Sequence, residues 1–146
     1  MSRQTKNQTI IALLAACILF SGCNKENGDG YKLIRYDGLY HYTTESGEMT
    51  YYLRFYHDGT VVYNFTRSDL TAPQIDEEWL HKTSYLSIGE YEIAGDKIAF
   101  QITSTSGSVD FNGQIYKDKM ILNSYSHING NTRNNAEFLF INWEEL

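Results

Sequence analysis

The chain has 146 residues but only one proline, Pro73, and only two cysteines, Cys17 and Cys23, both near the N-terminus. Beyond Cys23 there is no thiol. That excludes a disulfide framework and a thiolate metal site downstream, so a domain there is held by its core alone. No run approaches the roughly 20 apolar residues of a membrane-spanning helix. Positive charge is scarce: 12 Lys and Arg against 18 Asp and Glu give a formal charge of −6. Phosphate recognition leans on clustered Lys and Arg, so no nucleic-acid partner is expected. Gly-rich phosphate loops and a Gly-x-Ser-x-Gly nucleophile motif are missing. His41, His57, His81 and His127 fall in no metal-ligating spacing. Glu90 and Glu92 read as the wet face of a strand rather than a glycosidase pair. Asp76-Glu77-Glu78 is not followed by the ligand spacing of a calcium loop. The expectation is therefore no enzyme, no cofactor and no metal.

What the chain has in surplus is aromatic residues in alternating patterns, with 12 Tyr among them. Period-two alternation of apolar and polar residues marks half-buried strands. Leu39–Thr43, Thr50–His57 and Thr60–Thr66 read as strands, the last two joined by the hairpin signal Asp58-Gly59. Tyr51, Leu53 and Phe55 share one face, and Val61, Tyr63 and Phe65 share one face of the partner strand; the pattern leaves open which faces point inward, because a one-residue slip reverses the answer. Alternation then stops from Arg67 to Ser84, the stretch that carries Pro73. Acids precede Trp79, Leu80, His81 and Lys82 there, which suits a short helix from about Ile75 to His81 lying on the sheet or plugging one end.

Strand pattern resumes at Tyr85–Ile88. The even-numbered Leu86 and Ile88 give way to the odd-numbered Tyr91 and Ile93, which predicts a bulge or bend at Gly89. Ala94-Gly95-Asp96 is a hairpin turn. Lys97–Thr103, Val109–Ile115, Met120–His127 and Ala136–Trp143 complete the set, with a long polar loop predicted over Ile128–Asn135. The last strand is apolar on both faces, as expected of a well-covered one. About eight strands joined mostly by short turns predict an all-β, antiparallel, up-and-down barrel with one short helical insertion.

The N-terminus reads as a targeting segment. Arg3 and Lys6 precede an apolar run, Ile10–Phe20, of the length of a signal-peptide core. Leu19-Phe20-Ser21-Gly22-Cys23 resembles the lipobox of bacterial lipoproteins, in which the chain is cut before a lipidated Cys. Leu14-Ala15-Ala16-Cys17 fits the letters more closely, but cleavage there would leave Ile-Leu-Phe at the head of the chain. Cleavage before Cys23 removes Arg3 and Lys6, so the formal charge of −6 becomes −8. Residues 1–22 are thus assigned to a lipoprotein signal peptide and 23–36 to the lipidated Cys23 and a flexible tether. The barrel domain is assigned to 37–146. The resemblance implies an outer-membrane lipoprotein, periplasmic or surface-exposed, whose membrane partner is reached through its lipid.

Three stretches, Gly38-Leu39-Tyr40, Leu53–Val61 and Gly89–Ile98, resemble the lipocalin-like domains of small bacterial lipoproteins. The resemblance covers most of the mature chain and implies an eight-stranded antiparallel barrel that often holds a small ligand. Tyr combines an apolar face with a polar tip, which suits ligand sites. Tyr40, Tyr42, Tyr63, Phe65, Tyr91, Phe100 and Phe111 are the candidate ligand-binding residues for a small apolar or aromatic molecule. The alternative is a solid barrel that docks or inhibits an envelope protein through Arg67–Ser84 and Ile128–Asn135. An eight-stranded barrel is just wide enough for either outcome.

Overall fold

The structure, a computed structural model, describes residues 32–67, 80–82 and 87–146. Eight antiparallel strands follow the chain: β1 (Gly38–Thr43), β2 (Thr50–Phe55), β3 (Thr60–Thr66), β4 (Ser87–Ala94), β5 (Lys97–Ser104), β6 (Gly107–Ile115), β7 (Lys119–Ser126) and β8 (Thr132–Asn142). Each pairs with its sequence neighbour, and β1 also pairs with β8, closing the barrel. Closure leaves no edge strand with unpaired backbone groups. Among the described residues there is no α-helix; a 3-10 turn, Trp143–Glu145, ends the chain. The helix expected over Ile75–His81 falls mostly outside the described residues, as do the signal peptide, Cys23 and most of the tether.

The alternation resolves into an inner and an outer face. Tyr51, Leu53 and Phe55 point inward, as do Val61, Tyr63, Ile98, Phe100, Phe111, Met120, Leu122 and Phe138. These side chains form the main core. Inside it, Phe100 stacks on Phe111 with centroids 4.8 Å apart, and Phe55 meets Tyr40, Tyr91 and Phe100 edge to face. Such offset and edge-on contacts suit the ring quadrupoles.

No bulge interrupts the pairing at Gly89. The register runs unbroken from Ile88↔Thr103 to Ala94↔Lys97 on one side and from Thr60↔Glu90 to Tyr63↔Ser87 on the other. Ile88 simply lies on the outer face and is exposed. Gly89 faces inward where the sheet coils tightly: a Cβ there would stand 2.0 Å from the Gln101 carbonyl oxygen. Gly38 and Gly113 meet the same obstacle from the carbonyls of Ile141 and Ile121. These inward-facing glycines let the sheet bend sharply enough to close.

The irregularity lies in β8. The loop predicted over Ile128–Asn135 ends at Asn131, and β8 begins at Thr132. The register then slips by one residue, Leu122 pairing with Ala136 but Ser124 with Arg133. Asn135 takes a positive φ of 55° in this bulge, and its N–H donates to the Asn123 side chain at 2.9 Å. The bulge reverses the facing of what precedes it. Ala136, Phe138 and Phe140 are the inward residues after it; Arg133 is the inward residue before it. The expectation of a covered β8 is met at Ile141, which packs in the second cluster below, but not at Leu139, which is exposed.

The folded domain begins upstream of Asp37. Ile34 is only 4 % exposed and belongs to the main core, with Leu33 and Tyr36 packed beside it. The last residues assigned to the flexible tether are therefore a strap across one end of the barrel. A second apolar cluster lies outside the barrel wall, where Leu39, Tyr52 and Val62 from the outer faces of β1–β3 are covered by Leu80. Trp143, Ile141 and Leu146 border it. Leu80 comes from the β3–β4 connection, whose carbonyl oxygen accepts from the Tyr56 hydroxyl at 2.8 Å. The described part of that connection, residues 80–82, meets the sheet there.

Candidate functional site

The two ends of the barrel differ. At one end, strand residues are large and the strap covers them. The Tyr40 hydroxyl accepts from the Arg35 N–H at 3.0 Å; the Tyr91 hydroxyl donates to the Tyr56 carbonyl at 2.8 Å and meets the Tyr36 hydroxyl at 3.2 Å. Burial, the main cause, pushes the Tyr40 phenol up to about 12. Arg35 lies over Phe140 at 3.9 Å and pairs with Asp37 and Asp118. This end is packed and its polar tips are occupied.

At the other end the inward positions change character. Along β5 the inward series is Ile98, Phe100, Ile102, Ser104; along β7 it is Met120, Leu122, Ser124, Ser126; β4 starts with Ser87. Antiparallel order brings all these small residues to one pole, and small side chains leave space. The result is a cavity of about 510 Å³. Its walls are chemically unlike. Tyr51, Tyr63, Phe65 and Phe111 give an aromatic side; Ser87, Ser104, Ser124 and Ser126 give a hydroxyl side. Phe65 and Ile128, each 49 % exposed, stand at the rim.

The aromatic side is ordered by sheet register. Tyr42 pairs with Tyr51 and Tyr63 with Leu53, so Tyr42, Tyr51 and Tyr63 follow one another across β1, β2 and β3. Neighbouring rings in this series are 6.1 Å apart and 21° from parallel. The guanidinium of Arg133 lies over Tyr51 at 4.2 Å and near Tyr42 at 5.3 Å, a cation–π arrangement. Among the described residues Arg133 is the one charged residue lining the cavity. Burial raises the Tyr63 phenol above its usual range, the nearby Tyr51 adding and Arg133 opposing, so Tyr63 remains a neutral donor.

All seven candidate residues point into the barrel, but they divide between floor and cavity. Tyr63, Phe65 and Phe111 line the cavity, and Tyr42 is at its wall through Tyr51 and Arg133. Tyr40, Tyr91 and Phe100 belong to the packed floor, with Tyr40 wholly buried. The sequence reading missed Tyr51, the serines and Arg133. Tyr51 and the serines carried a signal, since each continues an inward-facing series; Arg133 carried none, because its facing depends on the bulge.

Outside the cavity, Lys32, His57, Asp58, Glu90, Glu92 and Asp110 border an open groove of about 1110 Å³. Glu90 and Glu92 are exposed on the outer face of β4. His127 pairs with Asp110 at 2.6 Å on the outside of the wall, and His57 stacks on Tyr36 at 3.7 Å at the strapped end. Among the described residues no three His, Cys, Asp or Glu gather as a metal site.

Among the described residues, fold and site together define a closed eight-stranded up-and-down barrel, packed at one pole and hollow at the other. No family model, curated protein or solved structure matches the chain, so its own geometry carries the functional reading.

Proposed function

We propose that the protein is an exported, lipid-anchored binding module that takes a small apolar or aromatic molecule into the hollow pole of its barrel. The observation that carries this is the cavity of about 510 Å³ with its Tyr and Phe wall. Small-molecule sites typically measure roughly 300–1,000 Å³ and combine apolar walls with a few placed polar groups. The lumen is half filled rather than solid, which favours a ligand over the inhibitor alternative.

The lipocalin-like strand motifs and the lipobox-like run ending at Cys23 support the wider setting, an outer-membrane lipoprotein. The strap of residues 32–36 enters at the packed pole.

Titration of the purified protein with phenylnaphthylamine, an uncharged dye that brightens in apolar sites, tests the binding reading. Saturable enhancement at one dye per barrel is expected. Ser124→Trp fills the cavity from β7 and should abolish it while leaving the circular dichroism unchanged. No enhancement, or enhancement untouched by Ser124→Trp, contradicts the reading. Cys23→Ser should move the protein from the membrane fraction to the soluble fraction; retention in the membrane contradicts the anchor.

A further inference from the structure

The cavity's charge and hydrogen-bonding balance says more about what it holds. Among the described residues its lining contains one cation, Arg133, and no carboxylate, in a chain whose formal charge is −6. Among the described residues no carboxylate pairs with Arg133; its contacts are the faces of Tyr51 and Tyr42. A guanidinium lying on rings engages them through its flat face and keeps its N–H edge for another group.

Donors are in surplus around it. Among the described residues the hydroxyls of Tyr42, Tyr51 and Tyr63 have no hydrogen-bond partner, and neither does that of Ser124 on the opposite wall. Each of these hydroxyls can donate as well as accept, and Arg133 adds a charged donor with no acceptor. Half-buried donors without acceptors match a ligand that brings acceptor atoms and negative charge. A cationic ligand would meet Arg133 with no carboxylate among the described lining residues to offset it. The near-parallel series of Tyr42, Tyr51 and Tyr63 provides a flat wall for a flat body.

We propose that the cavity selects a planar organic anion, with its carboxylate or sulfonate on the edge of Arg133 and its ring system along the tyrosine wall. This rests on the cavity being the binding site proposed above. Arg133 is the specificity-determining residue. The bidentate fit of a guanidinium to a carboxylate gives both strength and orientation.

A matched pair of dyes tests it. Anilinonaphthalene sulfonate carries the same rings as phenylnaphthylamine plus one sulfonate. The wild-type protein is expected to bind the sulfonate at least about tenfold more tightly than the neutral dye, the usual effect of one charge-assisted hydrogen bond in a partly buried site. Arg133→Gln should remove that preference by lowering the affinity for the sulfonate at least about tenfold more than that for the neutral dye; Arg133→Lys should retain part of it. Equal affinity for both dyes in the wild type overturns the anion inference while leaving the binding module intact. So does an Arg133→Gln protein that loses both dyes together, since Arg133 would then act only by capping the tyrosines. If neither dye binds the wild type, the binding reading itself falls.

Discussion

Arg133 lies 4.2 Å above the ring of Tyr51, although the two residues come from strands that do not pair. β1 stands between β2 and β8, and its Tyr42 completes the arrangement at 5.3 Å from the same guanidinium. The contact exists because the β8 bulge turns Arg133 inward. A regular β8 would point Asn134 into the cavity and Arg133 into solvent. The one charge that lines the cavity among the described residues therefore depends on the backbone at Asn135.

Asn135 holds a φ of 55°, which Asn and Gly tolerate and β-branched residues do not. Asn135→Val is expected to cost about 1–2 kcal/mol in urea unfolding. Asn135→Gly should be close to neutral. Equal stability of the two variants would contradict a strained bulge.

The inward glycines set the curvature of the barrel. A Cβ at Gly89 or Gly113 would sit 2.0 Å from a carbonyl oxygen of the neighbouring strand, so backbone must move. Gly89→Ala and Gly113→Ala are each expected to lose about 3 kcal/mol, the upper range for overpacking. Gly47→Ala, with open space around it, should lose only about 1 kcal/mol for its positive φ. Chemical denaturation of the three variants gives the ranking directly.

Stability and binding should separate at Leu80. It is 0 % exposed but sits outside the barrel on Leu39, Tyr52 and Val62. Leu80→Ala is expected to lose about 2–5 kcal/mol, as buried Leu truncations do. Dye affinity should stay within about twofold of wild type, because no atom of the cavity is touched. A large loss of affinity in a protein that remains folded would show that the outer cluster supports the mouth.

Acid should weaken the fold through its exposed carboxylates. The Asp58 carboxyl is drawn down to about 2, first by its hydrogen bond from Lys82 and then by Thr60. Arg35 lowers Asp37, and Gln101 followed by His127 lowers Asp110. Each carboxyl has a folded value below the unfolded 3.8, so the folded state binds fewer protons. Their contribution is complete above the unfolded value and is lost as pH falls through the folded ones. The urea midpoint should fall from about pH 4 towards pH 2, less steeply in high salt. Asp58→Asn should flatten part of that slope; an unchanged slope would contradict the Lys82 pairing as its source.

The sequence made the barrel legible because each strand carries its own period-two record, from the Tyr51–Leu53–Phe55 face to the Ile98–Phe100–Ile102 face. Hairpin signals at Asp58-Gly59 and Gly95-Asp96 kept successive strands adjacent. The site was half legible. Aromatic content located the tyrosine wall, but hollow and packed ends differ by small residues such as Ser124 and Ser126, whose only signal is that they continue an inward-facing series. At Gly89 the bend is there without the bulge; an exposed Ile88 imitated the change of phase. Arg133 was hidden in a polar stretch read as loop, since one inserted residue reverses a strand's facing without changing its composition.

The central claim is that the hollow pole binds a small molecule, and amide chemical-shift mapping during titration with anilinonaphthalene sulfonate tests it most directly. The expected result is a saturable set of shifts confined to Tyr51, Tyr63, Phe111, Ser124, Ser126 and Arg133, with Tyr40, Tyr91 and the outer Tyr52 and Val62 unmoved. Shifts on the outer cluster instead, or none at saturating dye, would contradict it.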